Sequence, residues 1–110
     1  MAHYLVTALP LAGRMDELQA KLRERAFVHL RPFGRALTSS LERARRFPNG
    51  TAVWEEEDYC RPPLAQEREA VLDHYFENLT VQPVERGDGW ELIAELPPLF
   101  TGLNEAENRE

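Results

Sequence analysis

Phe47-Pro48-Asn49-Gly50-Thr51-Ala52-Val53-Trp54-Glu55-Glu56-Glu57-Asp58-Tyr59-Cys60 carries the strongest local signal in the chain. Pro48 presets φ for the first position of a tight turn, Asn49 suits the second, and Gly50 accepts the left-handed third. The pattern predicts a three-residue hairpin loop ending in a glycine bulge, with Thr51–Tyr59 as one arm. Ala36–Arg46 is the other arm. Its alternation of Leu37, Ser39 and Leu41 against Ala36, Thr38 and Ser40 predicts a strand. A helix through Leu37, Leu41 and Ala44 is the competing reading, and the register depends on the choice. As a strand, the arm sets Arg45 opposite Val53, Arg43 opposite Glu55, Glu42 opposite Glu56 and Leu41 opposite Glu57.

Outward from the hairpin, His3–Leu9 alternates as a strand, punctuated by Pro10 and Gly13. A helix is expected from about Arg14, with Met15, Leu18, Leu22, Ala26 and His29 or Leu30 on one face, until Pro32 and Gly34 close it. A second helix opens at Arg61-Pro62-Pro63, where proline is tolerated, and presents Leu64, Arg68, Val71, Leu72 and Tyr75 on one side. Leu79–Val84 reads as a strand, Arg86-Gly87-Asp88-Gly89 as a turn, and Trp90–Ala94 as a last strand before Pro97-Pro98. Residues 1–102 form one α+β domain in this reading, and 103–110 a short acidic tail expected to fray.

The element order is β-α-β-β-α-β with one extra C-terminal strand. That is the ferredoxin-like split βαβ arrangement, an antiparallel sheet with two helices on one face. Leu37, Leu41, Val53 and Tyr59 fall on one side of the hairpin, and Ala44, Ala52, Trp54 and Cys60 on the other. Apolar groups on both faces, with helices for only one, imply a cover for the open face, and a second copy of the chain would provide it. In element order and two-faced strands, residues 3–84 resemble the small ferredoxin-like proteins that dimerise face to face into α+β barrels. The resemblance implies a homodimer. That superfamily spans several enzyme types and has no universal catalytic motif, so it assigns no site residue.

Composition narrows the setting. The 110 residues are 43% hydrophobic, enough for one core, and contain no apolar run of the ~20 residues that a membrane span needs. The segment 1–6 lacks the pattern of a signal peptide, and Cys60 is the single cysteine, so a cytoplasmic setting is expected. A net charge of −6 argues against nucleic acid as a partner. Residues 1–50 hold nine basic against four acidic side chains, and residues 51–110 hold four against fifteen. Pairing between the two halves would account for that asymmetry.

Alternation divides the acidic run. Glu55 and Glu57 point one way, and Glu56 and Asp58 the other. Glu42, Glu56 and Asp58, with Ser40, would gather beside Trp54 as a carboxylate cluster fit for acid/base chemistry, one pKa being raised by its neighbours. A hard cation on these oxygens is the variant reading. Cys60, beside Arg61 and the start of a helix, is a candidate low-pKa thiol. Trp54 and Tyr59 would shape a cavity, and Arg43 and Arg45 could meet an anionic ligand. His3, His29 and His74 are not paired as metal ligands are, so no metal or other cofactor is expected; His29 is in phase with the core. The expected function is a homodimeric module that binds a small molecule or a partner without catalysis of its own. The alternative is a small enzyme with a carboxylate acid/base between sheet and helices.

Overall fold

Ala2–Pro10 forms β1 in the computed structural model, which describes residues 2–101. This strand pairs antiparallel with β3 (Ala52–Asp58) on one side and with β4 (Phe76–Val84) on the other. The two-residue β2 (Arg45–Arg46) pairs with β3, giving the sheet order β2-β3-β1-β4. Helices α1 (Met15–Arg23) and α2 (Gly34–Glu42) lie between β1 and β2; α3 (Ala65–Ala70) and a 3₁₀ turn at Leu72–His74 lie between β3 and β4. The result is an α+β domain with an open antiparallel sheet, compatible with the ferredoxin-like arrangement.

The turn forms as its chemistry dictates. Phe47 N–H donates to Thr51 O at 2.9 Å, Gly50 N–H to Phe47 O at 2.8 Å, and Gly50 sits at φ +91°. Arg45 faces Val53, as the register requires. Above Arg45, however, the arm is helical. A strand would have placed Leu37, Ser39 and Leu41 together; instead Gly34, Leu37, Thr38 and Leu41 are buried while Ser39 is exposed. That is the spacing of a helix face. Thr38 Oγ1 also donates back to Gly34 O at 2.7 Å, a bond that requires the helical turn. The pairings Arg43–Glu55, Glu42–Glu56 and Leu41–Glu57 therefore do not form.

One cluster joins the strand side chains Val6, Ala8, Ala52 and Trp54 to Leu18 and Leu22 of α1, Leu37 and Leu41 of α2, and Leu64, Val71 and Leu72 around α3. α1 is shorter than its apolar periodicity suggests. Arg25 at φ +61° ends it, and His29 is exposed rather than in the core.

The opposite sheet face is partly covered by the chain itself. Residues 90–94 are not a strand: Asp88–Leu92 is a short helix, α4. Gly89 and Ile93, one helical turn apart, are buried, and Gly89 lies so close to the sheet that an added Cβ would stand 2.8 Å from Glu55 Oε1 and 3.2 Å from Leu5 Cδ1. Val53 and Ile93 are buried away from the main cluster. No helix among the described residues is long and apolar enough to cross a membrane. The tail 103–110 lies outside the described residues.

Candidate functional site

Period-two alternation along β3 sends Trp54, Glu56 and Asp58 to the helix-covered face and Glu55 and Glu57 to the other. On the second face, Glu55 organises α4: its Oε1 accepts from Gly89 N at 2.8 Å and Trp90 N at 3.3 Å, and its Oε2 from Gly87 N at 2.8 Å. His3 Nδ1 lies 3.5 Å from the same carboxyl. Glu55 is thus a structural group that satisfies amides at the start of α4.

On the helix side the acids sit in an apolar setting. Trp54 is fully buried and packs on Phe76 with ring centroids 5.3 Å apart. Its Nε1 donates to Glu56 Oε1 at 3.1 Å, while Glu56 Oε2 is buried with no hydrogen-bond partner. Burial first, and then repulsion from Glu67, push Glu56 well above the ordinary carboxylate range, against the hydrogen bond from Trp54.

Asp58 anchors the turn into α3. Its Oδ2 accepts from Leu64 N at 2.5 Å and from Cys60 N at 3.1 Å. Leu64 is held at φ +64°, a left-handed conformation that costs a side-chain-bearing residue about 1 kcal/mol. This turn delays the helix to Ala65 rather than Pro62 and rotates Glu67 inward. Glu67 is 0% exposed, and its Oε2 is likewise buried without a hydrogen bond. Burial, and a hydrogen bond with Asp58, push Glu67 up to about 7. Burial alone would raise Asp58, but the hydrogen bonds from Glu67 and the Leu64 amide hold it below its ordinary value. The two carboxyls are therefore split: Asp58 is the anion, and Glu67 keeps its proton to near neutrality.

Cys60 completes the group, with Sγ 3.8 Å from Glu67 Oε1. The sequence leaves Cys60 as a candidate for a lowered thiol pKa, beside the reading of an inert buried cysteine; its surroundings shift the thiol the other way. A hydrogen bond from the Gln66 backbone draws the pKa down, but burial and the Asp58 and Glu67 carboxyls outweigh it and hold the thiol above its ordinary value. Arg61 is exposed and α3 starts only at Ala65, so neither of the features that the sequence offers for lowering the thiol pKa lies against Cys60.

The donor atoms of Asp58, Cys60 and Glu67 all lie within 4.8 Å of one another. They border a cavity of about 70 Å³ that is also lined by Pro32, Phe33 and Ala36. At ~30 Å³ per water, that volume holds about two water molecules. A wider cleft of about 260 Å³, lined by Tyr4, Asp58, Cys60 and Arg61, adjoins it, and Tyr59, 68% exposed, borders both.

The structure thus brings Glu56, Asp58, Tyr59 and Cys60 to one end of β3; Trp54 packs in the core on Phe76 and lines neither cavity, contrary to expectation, and three other candidates lie elsewhere. Glu42 ends α2 with its carboxyl 3.6 Å from Arg25. Arg43 stacks its guanidinium 4.1 Å from the Trp90 ring centre, and Arg45 donates to Leu96 O at 2.8 Å. Glu67 is the residue that sequence reasoning missed. The signal was present: Glu67 follows Leu64 by three and precedes Val71 by four, so a carboxyl stands within the apolar stripe of that helix. No protein-family model, curated protein or solved structure matches this chain.

Proposed function

We propose that this chain is a small binding module, without catalysis of its own, whose site is the Asp58–Cys60–Glu67 cluster and the cavity beside it. The ligand is a small cation or a compact donor of hydrogen bonds. The observation that carries this reading is the Glu67 carboxyl, fully buried with Oε2 unsatisfied, at the wall of a cavity that also meets the anionic Asp58. A buried polar oxygen without a donor costs about 1–3 kcal/mol, and a ligand that supplies the donor recovers it. Thermal-shift titration with a panel of divalent metal ions and small ammonium compounds tests the reading, since a ligand that binds the folded state raises the midpoint. A rise in the wild type that disappears in Glu67→Gln supports it. No rise with any member, or an equal rise in the variant, overturns it.

Self-association of the dimeric α+β-barrel kind belongs to the same proposal. Its support is the part of the second sheet face along β1 and β4, where Leu9 is 38% exposed. A single free cysteine supports a cytoplasmic setting. Small-angle scattering that gives a monomer at micromolar concentration removes the dimer.

The divergent pKa values of Asp58 and Glu67 favour a second reading, an acid/base enzyme. There Glu67 and Asp58 trade a proton with a substrate in the wider cleft, and Glu56 stays protonated behind them. Turnover of a carbonyl or ester library that is lost in Glu67→Gln supports this reading, and no turnover at any pH between 5 and 9 removes it.

A further inference from the structure

Three carboxyls, those of Glu56, Asp58 and Glu67, are buried at one end of β3, and among the described residues no Lys, Arg or His forms an ion pair with any of them. Buried carboxylates are ordinarily paired, protonated or bound to metal. A proton accounts for Glu56, whose Oε1 accepts from the Trp54 indole. Hydrogen bonds tie Glu67 to Asp58 and to Cys60, but they leave Glu67 Oε2 without a partner, in a fully buried side chain that lines a cavity where all three donors converge.

We infer that Asp58, Cys60 and Glu67 bind a divalent transition-metal ion of the zinc class, an inference that rests on the binding reading above and names its ligand. Donor spacing agrees with this. At a metal–sulfur distance of ~2.3 Å and a metal–oxygen distance of ~2.0 Å, tetrahedral geometry sets the two donors about 3.5 Å apart. Cys60 Sγ and Glu67 Oε1 are 3.8 Å apart, and the whole donor set falls within 4.8 Å, so closure on an ion needs only small side-chain adjustments. The donor chemistry also selects. Oxygen-only sets suit magnesium and calcium, whereas a thiolate shifts preference to zinc and its neighbours. Three protein donors leave a fourth position, and the adjoining cavity of about 70 Å³ has room for a water there. The supports of the ligands are already built: the Cys60 and Leu64 amides orient Asp58, and the Gln66 backbone meets Cys60. Binding displaces the protons of Cys60 and Glu67 to solvent.

The test uses the full chain, stripped with a chelator, titrated with zinc chloride by calorimetry and with cobalt(II) by absorption spectroscopy. The inference expects one ion per chain and a near-ultraviolet thiolate-to-cobalt charge-transfer band. Cys60→Ser abolishes the band, and Glu67→Gln weakens zinc binding by roughly 10- to 100-fold; circular dichroism checks that both variants are folded. Absence of binding, equal zinc binding in both variants, or equally tight binding of magnesium overturns it. If methylammonium raises the thermal midpoint through Glu67 while zinc does not bind, the metal assignment falls and the binding module stands. If neither ligand binds, both fall.

Discussion

Trp54 and Glu56 are two residues apart on one face of β3, and the indole Nε1 of the first donates to Oε1 of the second at 3.1 Å with both side chains fully buried. The bond explains why an acid is tolerated at the centre of the core: it satisfies the indole, and the protonated carboxyl carries no charge.

Glu56→Gln is therefore expected to change stability by less than about 1 kcal/mol at neutral pH, because the amide oxygen still accepts from Trp54 and burial already keeps the acid neutral. Glu56→Ala orphans the indole N–H and opens a cavity, and should cost about 2–4 kcal/mol. Urea denaturation of the two variants measures the difference. Equal losses would show that the Trp54 bond is not what holds the side chain.

Stability should fall as pH rises from about 4.5 to about 7. Glu67 titrates near 4.5 when unfolded and near 7 when folded, so the folded state holds the extra proton in that window. Its contribution is complete below the unfolded value and is lost as pH rises through the folded one. The loss is on the order of 3 kcal/mol. Glu56 acts in the same direction, whereas Asp58, whose pKa is lowered, contributes above its ordinary value and only at more acidic pH opposes the trend. Denaturation midpoints across pH in the presence of a chelator check this, and Glu67→Gln should flatten the profile.

Asp58→Ala removes the acceptor of the Leu64 and Cys60 amides and leaves the left-handed Leu64 unsupported. A loss of about 2–3 kcal/mol is expected. Hydrogen exchange should accelerate at the Leu64 amide and along α3 before it does in β1, because the turn opens first. Uniform acceleration would mean that Asp58 supports the whole core rather than this turn.

Glu55→Ala frees the amides of Gly87, Gly89 and Trp90 and should release α4 from the sheet. Val53 and Ile93 would then be uncovered, at a cost of about 2–4 kcal/mol. Faster exchange confined to residues 87–93, with binding of a hydrophobic dye, is the expected signature. If α4 stays protected, its own apolar contacts hold it and the carboxylate does not.

What the sequence determined by itself was whatever depends on near neighbours. Pro48, Asn49 and Gly50 set the hairpin turn and the Arg45–Val53 register, since turn conformation is a matter of local φ and ψ. Strand alternation put Trp54, Glu56 and Asp58 on one face and Glu55 on the other. Leu37 and Leu41 left their segment ambiguous because residues four apart share a face in a helix and in a strand alike. Only packing, which buried Thr38 and exposed Ser39, decided for α2. The role of Glu55 beneath α4 depends on a contact more than thirty residues along the chain. The site was decided in the same way. Its members from β3 were legible, but Glu67 joined them because the Asp58–Leu64 turn rotated it beneath Asp58, and because folding removed water from around it. A carboxyl's proton affinity follows from the desolvation and charges that the folded chain places around it, and no local pattern encodes those.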